Sequence, residues 1–114
     1  MNKETLKELY DLFAKERPKI DGYMADDENL YSRLYRELEE YKALDYNYLD
    51  NFEKIKGEGL LDKMKHVDAL TFKECCTMLT WILRSERFCE GSFYGGVNNG
   101  NVLKLLKRAY ETVK

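Results

Sequence analysis

The chain has one proline, one tryptophan and one histidine in 114 residues, and only seven glycines. Each scarcity excludes something. With a single histidine and three cysteines at no zinc spacing, neither a structural nor a catalytic metal site is expected, and no cofactor is implied. The odd cysteine count, with Cys75 and Cys76 adjacent, argues against a disulfide framework and for a reducing compartment. The N-terminal Met1-Asn2-Lys3-Glu4-Thr5 lacks the apolar core of a signal peptide. No apolar run approaches the ~20 residues of a membrane span. These readings place the protein in the cytoplasm, with no membrane partner.

What is present points to helices. Hydrophobic residues make up 44% of the chain and charged residues 35%, enough apolar content for one core under a well-solvated surface. Leu6, Leu9, Tyr10 and Phe13 share a helical face, and Pro18 ends that helix near Arg17. Asp26-Asp27-Glu28 suits the positive end of a second helix, striped by Leu30, Tyr31, Leu34, Tyr35, Leu38 and Tyr41. Asp45 is expected to cap a third helix carrying Tyr48, Leu49, Phe52 and Ile55, with Gly57 as its terminator. Leu60, Leu61, Met64 and Val67 mark a short fourth. Thr71-Phe72-Lys73-Glu74 is a capping box, flanked by Leu70 and Cys75 as a hydrophobic staple. The helix it opens, through Cys75, Met78, Leu79, Ile82 and Leu83, is the most apolar and is expected to be central. Asn101 is expected to cap a last helix striped by Val102, Leu105, Leu106, Ala109 and Val113. The fold class is all-α: a compact single-domain bundle of five to six helices over residues 1–114, with a glycine-rich connection before the last helix. A short strand pair within 86–97 is the minor alternative.

Two segments carry a resemblance. Asp45-Tyr46-Asn47-Tyr48, and Ile82-Leu83-Arg84-Ser85-Glu86-Arg87-Phe88-Cys89-Glu90-Gly91 followed by Leu103-Lys104-Leu105-Leu106-Lys107-Arg108, resemble a domain-of-unknown-function family of small bacterial and phage proteins. The resemblance covers the second half to two-thirds of the chain and centres on the DYNY and ERFCEG motifs. It implies a bacterial or phage cytosolic protein and carries no activity. It also implies a short helix after Glu90-Gly91, which the Gly95-Gly96 pair opposes at about 1 kcal/mol per glycine.

The candidate functional or structural motif is Glu86, Arg87, Phe88, Glu90 and Gly91. At ~100° per residue, Glu86 falls within about 20° of Cys75 on the apolar face of its helix. Such a carboxylate needs partners. The structural expectation is that it accepts amide hydrogens from the glycine-rich turn or a tyrosine hydroxyl; exposure at a frayed end and a catalytic acid are the alternatives. Arg84 and Arg87, with Lys104, Lys107 and Arg108, form a candidate basic rim for an anion or nucleotide, although no phosphate-loop motif is present. A nucleophilic pair of Cys89 and His66 has no supporting motif. Trp81 lies about 120° from the centre of its helix's stripe, a candidate exposed anchor for a partner, with packing against the N-terminal helix the equal alternative. Most of the nine tyrosines are expected to line the core.

Net charge is −2, but residues 84–114 hold six basic against three acidic side chains. The acidic remainder disfavours nucleic acid as a partner. The leading expectation is a non-enzymatic protein-interaction module, with homo-oligomerisation left open. The alternatives are a small nucleotide- or anion-binding protein or enzyme centred on Glu86-Arg87 to Gly100, and a phage-encoded inhibitor of a host defence system.

Overall fold

The computed structural model describes residues 1–15 and 25–113, without the side chains of 25–29. The expected helix end near Arg17 and Pro18 and the acidic cluster at Asp26, Asp27 and Glu28 lie outside the described parts. The elements run α1 (Lys3–Lys15), α2 (Ala25–Glu40), α3 (Tyr48–Lys54), α4 (Gly59–Met64), a 3₁₀ turn (Val67–Ala69), α5 (Phe72–Ser85), α6 (Ser92–Asn98) and α7 (Asn101–Thr112). The described residues contain no strand, so the alternative at 86–97 is replaced by helix α6. That segment was expected to be a glycine-rich connection, and it is what takes the helix number beyond six.

The helix at the centre of the bundle is α5. Thr71 Oγ1 accepts from the Glu74 amide at 3.1 Å, and Glu74 Oε1 accepts from the Thr71 amide at 2.9 Å, so both arms of the capping box are made. Leu70 and Cys75 on either side of the box are both buried. Every residue from Cys75 to Thr80 is buried, as are Ile82 and Leu83, so α5 is covered on nearly all sides rather than along one stripe. It packs against α2, α3, α6 and α7, while α7 also lies along α1. One hydrophobic cluster draws on all seven helices of the described residues, from Leu6 and Phe13 through Leu34, Phe52, Met64 and Leu83 to Phe93 and Leu106.

Three stripe residues are exposed where burial was expected: Tyr41, just past the end of α2, Leu49 and Leu61. The short helices α3 and α4 turn Phe52, and Lys63 with Met64, inward, which leaves Leu49 and Leu61 on the outside. The end of α2 is also distinctive. The amides of Ala43 and Leu44 donate back to the Leu38 carbonyl at 2.7 and 3.2 Å, closing the helix through Lys42 at φ 56°. Glycine or asparagine usually occupies that left-handed position.

Candidate functional site: two carboxylate-pinned turns

Glu86 sits just past the last helical residue of α5, half-buried rather than in the core. Its carboxylate reaches across the following turn and takes two backbone amides, Gly91 N at 2.8 Å and Phe93 N at 2.9 Å. Between these contacts the chain is tied by its own backbone. Phe88 and Cys89 amides donate to the Ser85 carbonyl, and the Ser92 amide donates to Cys89. Gly91 completes the reversal at φ 91°, a conformation that would strain a side-chain-bearing residue. The partners of Glu86 are thus amides of the glycine-rich segment; the Tyr31 hydroxyl donates to the Leu83 carbonyl at 3.3 Å.

By holding the Phe93 amide, Glu86 also fixes where α6 begins. The Phe93 ring is fully buried and makes edge-on contacts with Phe13 of α1 at 6.3 Å, Tyr31 of α2 at 5.2 Å and Tyr94 at 5.1 Å. Burying this ring outweighs the glycine penalty of Gly95 and Gly96. Gly96 serves the packing as well: a Cβ there would come within 3.2 Å of Ile82 Cγ2. Short α6 thus lies tight against α5.

The outer side of this turn is open. Phe88 is 83% exposed, and Arg87, Cys89, Glu90 and Gly91 are exposed around it. An apolar ring held in water by a hydrogen-bonded turn contributes nothing to the core.

A second turn is built on the same plan. Asp45 Oδ1 accepts from the Asn47 amide at 2.9 Å, and Oδ2 accepts from Asn51 Nδ2 at 2.9 Å and Thr77 Oγ1 at 2.6 Å. The Asp45 amide donates to Thr80 Oγ1 at 3.1 Å. Asp45 is not the N-cap of α3, a position held by Asn47; it instead ties the approach to α3 onto α5. Partial burial works against its charge, but the bonds from Thr77, Asn51 and the Asn47 amide, with Lys73 nearby, outweigh burial and hold its carboxyl below the ordinary carboxylate range. The next residue, Tyr46, is 75% exposed.

The remaining candidates separate. Trp81 is half-buried and stacks on Phe52 of α3 at 4.6 Å with 11° between ring planes, so it joins α5 to α3 instead of standing free. Arg84 packs over the Tyr35 ring at 5.5 Å. Arg108 donates from Nε to the Leu70 carbonyl at 2.9 Å and lies 3.6 Å from Glu111, away from the α5–α6 turn. Lys107 lines a depression between α1 and α7, and Lys104 is exposed on the first turn of α7. Arg108 and Lys107 thus face the 3₁₀ turn and α1 and not the α5–α6 turn. Burial pushes the Cys75 and Cys76 thiols up to about 12, so neither is a thiolate near neutral pH. Cys89 and His66 lie on different segments, and among the described residues no group of three side chains is placed to hold a metal. No described helix is long and apolar enough to cross a membrane.

One feature had no counterpart in the sequence pattern. Lys63 of α4 is 2% exposed. Its Nζ donates to the Ile55 and Gly57 carbonyls, each at 2.7 Å, and lies 4.8 Å from the centre of the Phe52 ring. Two carbonyls and a π face take the place of a carboxylate. Nothing in the spacing of Leu60, Leu61, Lys63 and Met64 distinguishes this lysine from a solvated one.

Residues 22–114 match the family of unknown function DUF6508. The chain belongs to that family. No curated protein and no solved structure matches it. Both pinned turns fall inside the DUF6508 span.

Proposed function

We propose that this DUF6508 chain is a non-enzymatic protein-interaction module whose contact points are the Phe88 and Tyr46 turns. The observation that carries the reading is the shared construction. In each turn a carboxylate is consumed by internal hydrogen bonds, and an aromatic ring one or two residues later is left in solvent. Rigid, solvent-facing aromatic rings lose little conformational freedom on binding and dominate the energetics of protein contacts. An enzymatic role for Glu86 is less well supported, since its oxygens are already engaged by amides of its own chain. The resemblance of both segments to small bacterial and phage proteins supports an origin there, and three free cysteines support a cytoplasmic setting.

The test replaces Phe88, Tyr46 or Lys65 with a photo-crosslinking amino acid in the cell that makes the protein. Lys65 is an exposed control on α4's far end. Defined crosslinks from positions 88 and 46 and none from 65 are the expected result. Equal labelling at all three, or none at 88 and 46, would overturn the proposal.

A further inference from the structure

We propose that the Phe88 turn of one copy seats in the depression between α1 and α7 of a second copy. The inference rests on the reading of that turn as a contact point and names its partner. The depression has a volume of about 320 Å³ and is lined by Lys7, Tyr10 and Asp11 of α1 and Lys107 and Tyr110 of α7. That is at the small end of the ~300–1,000 Å³ of ligand pockets, a size suited to one aromatic side chain. Two tyrosines and two lysines, residues whose rings and stems offer apolar surface, share its walls with Asp11. Lys3 Nζ sits 4.4 Å from the centre of the Tyr110 ring, which holds that wall in place.

The charges complement. On the turn, Arg87 precedes and Glu90 follows the exposed ring, and neither forms an ion pair among the described residues. On the depression, Lys107 forms no ion pair among the described residues, and Asp11 shares only the exposed Lys7 at 3.2 Å. Glu90 facing Lys107 and Arg87 facing Asp11 leaves Phe88 between the tyrosines. A net charge of −2 per chain sets only weak repulsion between copies. One knob and one hollow make a small contact, below the ~1,200 Å² of stable complexes, so the association is weak, on the order of 100 µM. The two surfaces differ, and each copy carries one of each.

The test is sedimentation of the full chain from about 10 µM to about 1 mM, under reducing conditions so that exposed Cys89 does not bridge copies. Concentration-dependent association is expected in the parent chain. Phe88→Ala should weaken it by at least ~30-fold, the effect of losing a central aromatic. Glu90→Lys and Lys107→Glu should each weaken it about 5- to 10-fold, and the two together in one chain should restore it. All three positions are exposed or at the depression's rim, and unchanged circular dichroism confirms folding. Association indifferent to Phe88→Ala, or no rescue by the charge exchange, would overturn the proposal. A chain that stays monomeric throughout overturns it too. If position 88 then still crosslinks another protein in cells, the interaction reading stands without this partner; if it does not, both fall.

Discussion

Both oxygens of Glu86 are engaged by amides seven or fewer residues downstream, and a glutamine of the same shape offers only one acceptor oxygen. Glu86→Gln should therefore lower stability by about 1–2 kcal/mol, read as a lowered thermal midpoint. An unchanged midpoint would mean that the turn holds without the carboxylate. Asp45 gives a pH signature. Its carboxyl is held below the ordinary range, so the stability it contributes is present above pH ~4 and is lost as pH falls through the folded-state value. Asp45→Asn should remove that part of the acid sensitivity while leaving the rest of the curve, as seen by denaturant unfolding at pH 7 and pH 3. Lys63→Met should cost about 2 kcal/mol, because two carbonyls lose their donor, and should shift the fluorescence of Trp81 across the Phe52 ring. Of these three residues, Glu86 was legible from sequence by its angular position alone. Asp45 was legible as a helix-start residue but not as a cross-link, since its partners Thr77 and Thr80 lie more than thirty positions away. Lys63 was not legible, because a buried and a solvated lysine look alike until the chain around Ile55 and Gly57 has folded.

At the scale of elements, α5 and α6 show where pattern reading succeeds and where it stops. The capping box is a local contract between Thr71 and Glu74, and it forms as the four residues require. Thr71→Ala should cost about 1 kcal/mol. The position of Trp81, off the stripe, suggests exposure only if a helix has one buried face; α5 is buried on nearly all sides, and α3 covers the face that carries Trp81. In α6 the local signal is adverse and the tertiary one favourable: Gly95-Gly96 opposes a helix, whereas the pinned Phe93 amide and the buried Phe93 ring impose one. The two glycines are separable by experiment. A Cβ at Gly95 meets open space, so Gly95→Ala should stabilise by about 1 kcal/mol; at Gly96 the Ile82 side chain must give way, and Gly96→Ala should gain less or lose. Equal stabilisation at both positions would indicate that α6 does not pack closely on α5.

At the scale of the molecule, an all-α core assembled from the seven described helices leaves its sequence-marked segments at the surface, each reduced to a braced turn and an exposed ring. The all-α class was readable because the apolar stripes repeat at helical spacing. The dispersal of the basic residues was not, because Lys107 and Arg108 are neighbours in sequence yet face α1 and the 3₁₀ turn respectively. In the interaction role proposed for this DUF6508 chain, the bracing is what would distinguish a presented aromatic from an accidental one. On that proposal, Phe88→Ala should leave stability within about 0.5 kcal/mol of the parent while removing the crosslinks expected near position 88.

Amide hydrogen exchange at Gly91 is the most direct measurement of that bracing. Gly91 is exposed, and the Glu86 carboxylate is the acceptor of its amide. Slow exchange at Gly91 and Phe93 in the parent chain is expected, with the Gly91 amide accelerating in Glu86→Ala toward the rate of a free surface amide while the α5 interior stays protected. A Gly91 amide that exchanges freely in the parent, or equally slowly in both proteins, would contradict the account.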